Sequence, residues 1–181
     1  MATLLNALIL ALADLVIIYL LVRGQSPARF RALKWQIAAG ALLFWSVLSA
    51  VLLWGFWDIY YRNFYGDWTR WAFPIAGVGY ALAALLFWWL AQRLPGNPFV
   101  TFCLLGGLES IPEHLFGIYY LGILQLPVLQ GETTPSILGF AIFEYILYWS
   151  VVLGLGLIIQ SLTIKRAALS TGHAPGQRGE T

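Results

Sequence analysis

The chain has 181 residues, of which 60% are hydrophobic and 10% charged, with a formal net charge of +2. Soluble domains carry about one quarter charged residues, so this composition excludes an ordinary soluble enzyme and predicts an all-α integral membrane protein, a polytopic helical bundle. So small a charge argues against a nucleic-acid partner, and Cys103, being the only cysteine, excludes a disulfide framework, a thiolate cluster and a Cys-x-x-Cys pair; it is expected as a small core filler.

The first span is predicted over about Ala2 to Val22. It lacks a basic leading region and a small-x-small cleavage site and carries Asp14, so it reads as a retained helix and not a signal peptide. Ser26-Pro27 resembles a helix cap followed by proline, leading into a second span over about Gln36 to Trp57. Between Trp54 and Phe73 half the residues are aromatic, with Asp58, Arg62, Asp67 and Arg70 among them. An interfacial aromatic belt is the plain expectation, and a stacking platform for a sugar or lipid headgroup the functional one. The third span, Trp71 to Leu90, has small residues at Ala72, Ala76, Gly77 and Ala81 and no acid, which predicts a packing helix. Asn97-Pro98 caps a fourth span over about Pro98 to Leu124, and Thr134-Pro135 opens a fifth that runs to Ile164 and stops at Lys165-Arg166. Residues 1–166 form a single transmembrane domain in this reading, and 167–181 a disordered cytoplasmic tail.

Lys and Arg fix the orientation. Eight (Arg23, Arg29, Arg31, Lys34, Arg93, Lys165, Arg166 and Arg178) fall on one side of five spans and two (Arg62 and Arg70) on the other, which places the N-terminus outside and the C-terminus in the cytoplasm of a plasma (inner) membrane.

The fourth span contains G-G-L-E-S-I-P-E-H-L-F-G-I-Y-Y, from Gly106 to Tyr120. Glu109 and Glu113 are four residues apart and share a helix face with Gly106, Gly117 and Tyr120, while His114 points about 100° away. Pro112 lacks a donor and crowds the carbonyl of Leu108, which predicts a bend between the glutamates with a bare carbonyl beside them. On the fifth span Glu144 has Tyr148 one turn on. Four of the eight acids (Asp14, Glu109, Glu113 and Glu144) thus lie within spans, and no Lys or Arg does. A carboxylate at mid-membrane costs ~2.5 to 3.5 kcal/mol, so these groups should face inward and be protonated, hydrogen-bonded or bound to a cation.

The leading functional expectation is an enzyme acting on a lipophilic substrate, with Glu109, Glu113, His114 and Glu144 as acid/base groups or as ligands of one divalent metal ion, supported by Asp14, Tyr120 and Tyr148. A di-iron centre is disfavoured because Glu113 and His114 are adjacent in sequence. The alternatives are a proton- or cation-coupled carrier and a non-catalytic subunit of a membrane complex or homo-oligomer. The plain alternative is a closed bundle in which the acids bond freed carbonyls and tyrosine hydroxyls.

Overall fold

The computed structural model describes residues 2–23, 33–51, 68–120 and 131–171. All regular structure among them is helical: α1 (Ala2–Val22), α2 (Lys34–Val51), α3 (Trp68–Ala91), α4 (Pro98–His114), a π-helical turn (Leu115–Tyr120) and α5 (Thr134–Thr171). Thr134–Ala167 is long and apolar enough to cross a membrane, while Ala7–Val22 and Gly77–Ala91 are shorter apolar helices. Five described helices are therefore in place, with membrane-spanning length and hydropathy in one.

Helix starts follow the capping chemistry. Asn97 sits in extended backbone, and its side chain accepts from the N–H groups of Phe99 and Val100, at 2.9 and 3.5 Å, with Pro98 at the first helical position. The turn before it is made by Gly96, whose φ of 108° belongs to the region that a side chain disfavours. Other boundaries move. α3 begins at Trp68, inside the expected aromatic loop, whose remainder lies outside the described residues. α5 continues through Lys165 and Arg166 to Thr171, because the alanines and leucine that follow favour helix. Residues 172–181 of the expected tail, and the Ser26-Pro27 cap, lie outside the described residues.

α4 is one helix through Pro112. α4 continues to His114, and the backbone then widens into the π turn, where the Leu115 N–H reaches the carbonyls of both Ile111 and Pro112. A π-helical irregularity thus follows within a turn of the proline.

α5 is the central element, packed on α1, α2 and α4, while α3 rests on α2 and α4. Glycines permit the closest of these approaches. A Cβ on Gly40 of α2 would stand 2.8 Å from the carbonyl oxygen of Val152, and one on Gly106 of α4 would stand 2.0 Å from Cδ1 of Trp149. The core then fills with rings: Trp149 packs edge-on against Phe87 and Phe102 at 5.2 and 5.4 Å, and Trp88 against Phe99 at 5.4 Å. Cys103 is the core filler expected of it, buried with the Ser150 hydroxyl donating to its sulfur at 3.6 Å.

Candidate functional site

α4 presents Glu109 and Glu113 on one face, as their spacing requires. Glu113 accepts a hydrogen bond from the hydroxyl of Tyr80 on α3, at 2.6 Å from Oε2. Tyr80 is itself held from behind by Trp45 of α2, the two rings stacked 3.7 Å apart and 11° from parallel. Its hydroxyl also lies 3.5 Å from that of Tyr145 on α5, so a line of polar atoms passes from α4 through α3 to α5.

Glu109 lies against Glu113 on one side and the indole of Trp149 on the other. Its Oε2 is buried without a hydrogen-bond partner, and so is Nε1 of Trp149. The indole reaches this position because Gly106, one turn before Glu109, offers no side chain in its way. A buried donor or acceptor left unpaired costs ~1 to 3 kcal/mol. The two groups lie against one another, so the indole N–H of Trp149 has the Glu109 carboxyl as its neighbouring acceptor.

His114 is 3% exposed, and its Nδ1 stands 2.9 Å from the carbonyl oxygen of Ser110. A carbonyl accepts only, so Nδ1 carries the proton in that bond, and in the neutral ring Nε2 keeps the lone pair. The imidazole packs edge-on against Tyr145 at 5.4 Å. Glu144, on α5, takes the hydroxyl of Tyr148 one turn on and lies within electrostatic reach of His114 and Glu113.

The structure therefore brings Glu109, Glu113, His114, Glu144 and Tyr148 into one region. Two expected members stand apart. Tyr120 is 77% exposed and stacks on Phe116 at 4.8 Å, because each residue of the π turn advances less than an α residue and carries it off the glutamate face. Asp14 is half-exposed on α1, on the side of Cys103, which lies ~9 Å of helical rise before Glu109.

Among the described residues no three of His, Cys, Asp and Glu gather as a metal-ligand group, so Glu109, Glu113, His114 and Glu144 do not form one. Hydrogen bonds explain this: Glu113 is turned to Tyr80, Glu144 to Tyr148 and His114 to its own backbone.

Tyr80, Tyr145, Trp149 and Trp45 complete the site, and none was singled out from sequence. The available signal was Tyr80, a hydroxyl in the middle of the apolar run from Gly77 to Leu90. A polar group there needs a partner on another helix. Comparison of the chain with protein-family models, with curated proteins and with solved structures gives no match, so its chemistry rests on this geometry.

Proposed function

We propose that the chain is a five-span membrane enzyme, N-terminus outside and C-terminus cytoplasmic, that uses Glu109 and Glu113 as an acid/base pair on a lipophilic substrate. The multi-pass part is supported by where the apolar side chains lie. Val16 and Leu20 of α1, Val47 of α2, Leu82 and Leu86 of α3 and Leu108 of α4 are all exposed, whereas Ser110, His114, Ser150 and Gln160 are buried. Soluble monomers rarely expose contiguous apolar surface beyond a few hundred Å²; a bilayer favours this outside. Interfacial anchors agree with it, since the guanidinium of Arg93 lies 3.7 Å over Trp89 and the ammonium of Lys34 5.2 Å from Trp35, on the side to which the cation count assigns the cytoplasm.

The observation that carries the acid/base part is the unequal treatment of two neighbouring carboxyl groups. Glu113 is fixed by the Tyr80 hydroxyl, while Glu109 keeps one buried oxygen with no partner. Two acids in unlike surroundings divide the tasks of giving and taking a proton. Without a gathered ligand set, acid/base chemistry fits these residues better than metal assistance.

The test is turnover of a native lipid extract by the full chain in nanodiscs, in heavy water, followed by mass spectrometry of the lipids. A lipid species changes mass with wild type, the rate falls by roughly 10²- to 10⁴-fold in Glu109→Gln and in Glu113→Gln, and Asp14→Asn stays close to wild type. An unchanged lipid pool, or glutamine variants as fast as wild type, refutes the proposal. A proton-coupled carrier is the second reading, favoured by the Tyr80–Tyr145 hydroxyl contact. Proton flux into vesicles that disappears in Tyr145→Phe, without lipid turnover, would select it.

A further inference from the structure

α1 packs on α5 and along part of α4, and the rest of its surface is open, with Leu10, Val16, Ile17 and Leu20 all more than half exposed. Ala11, Ile18 and Val22 form its buried stripe. Asp14 lies at the edge of that stripe, half-exposed, on the same flank as Leu10 and Ile17, which stand four residues before it and three after. Among the described residues nothing bonds its carboxyl or forms an ion pair with it. At ~1.5 Å of rise per residue, Asp14 stands about 18 Å from the start of α1 and about 12 Å from its end. Hydrocarbon at that depth serves a carboxyl group poorly.

We infer that this flank of α1 is the interaction surface for a transmembrane helix of another protein, one that carries a lysine or arginine at the same depth and pairs it with Asp14. Charge decides between the occupants. In the described helices every cation of this chain lies near an end: Lys34 opens α2, Arg70 is in the first turn of α3, and Lys165 and Arg166 fall within the last two turns of α5. Arg23 and Arg93 come just after α1 and α3. A second copy of the chain therefore brings no cation to the middle of α1. Lipid headgroups can carry ammonium groups, but these sit outside a hydrocarbon layer about 30 Å thick, beyond the reach of so short a side chain at its middle. A basic residue on another helix meets both demands, since its charge answers the carboxylate and its apolar neighbours answer Leu10 and Ile17. This inference rests on the placement of α1 in the bilayer under the proposed reading, and it is independent of the chemistry at Glu109 and Glu113.

The experiment uses the full chain in phosphatidylcholine vesicles with a fluorophore on Val16→Cys, which is exposed and about 200° around the helix from Asp14; the native Cys103 is buried and stays unlabelled. Quenching by lipids brominated on their acyl chains first reports that α1 lies in the bilayer. Energy transfer is then measured to acceptor-labelled polyleucine helices of about 20 residues with lysine, glutamine or leucine at the midpoint. The lysine helix associates and the leucine helix does not, glutamine in place of lysine weakens association by roughly tenfold or more, and Asp14→Asn does the same to the lysine helix while Asp14→Glu retains it. Lysine and leucine helices that behave alike on the quenched wild-type chain overturn the inference, whatever the variants do. Transfer between two labelled copies of the chain that is lost in Asp14→Asn also overturns it, in favour of a homo-oligomer. Fluorescence that brominated lipid fails to quench removes the membrane placement of α1 and the inference with it, whereas lysine-selective association without lipid turnover keeps the surface and removes the enzyme.

Discussion

Tyr80 is held on two sides, its ring flat against Trp45 and its hydroxyl on Glu113. Stacking removes the freedom of the ring before the hydrogen bond forms, so little further entropy is lost in aiming the hydroxyl. Removing that hydroxyl in Tyr80→Phe leaves a buried carboxyl oxygen without its donor. The expected loss is about 1 to 3 kcal/mol, the cost of leaving a buried polar group unpaired, and it is read from denaturant unfolding in detergent. Tyr145→Phe gives up a longer contact between two neutral hydroxyls, 3.5 Å apart. It should cost less, about 0.5 to 1.5 kcal/mol. Tyr120→Ala provides the contrast: the side chain is 77% exposed, and stability should change by no more than ~0.5 kcal/mol. A Tyr120 effect as large as that of Tyr80 would show that the glutamate face extends into the π turn.

At the scale of helices, the site depends on how closely α2 and α4 approach α5. Gly40 and Gly106 set those approaches, since any side chain at either position would overlap Val152 or Trp149. The contact at Gly40 is with main chain, which cannot rotate aside. Gly40→Ala should therefore destabilise the bundle by about 1 to 3 kcal/mol through overpacking. Gly79→Ala, on α3, is the internal control, because a Cβ there meets nothing within 4 Å. Replacing a helical glycine in open space gains about 0.5 to 1 kcal/mol, so the two substitutions should move the unfolding midpoint in opposite directions. Equal effects would mean that α2 and α5 are not in contact as described. The π turn acts on the same scale, re-aiming the chain after His114 and turning Phe116 and Tyr120 outward while the imidazole stays in the core.

For the whole molecule the decisive property is the large number of aliphatic side chains left outside a ring-packed core, while Ser110, His114, Ser150 and Gln160 are buried among the described residues. The proposed five-span topology is tested by which helix ends share a side. Leu94, after α3, and Glu132, before α5, lie at opposite ends of α4 and are exposed. Leu94→Cys should react with a membrane-impermeant maleimide from the cytoplasmic side and Glu132→Cys from the other; the native Cys103 is buried and stays silent. Both cysteines labelling from one side would refute the five-span arrangement.

Composition and hydropathy were enough to determine that the chain is helical, roughly where its helices begin, and that the acids of its apolar segments need partners. Those features are local: a cap is set by a few neighbouring residues, and the cost of placing an acid in hydrocarbon is a property of the acid itself. Which partners those acids take was decided only in three dimensions. Tyr80 meets Glu113 from 33 positions away, and Trp149 meets Glu109 because a glycine lets two helices close together. The ejection of Tyr120 and the separate hydrogen bonds taken by Glu113, Glu144 and His114 have the same origin, for one π turn changes a helix register and one hydrogen bond reorients a side chain. Periodicity along a chain states which residues share a face, and the opposing face is chosen by packing.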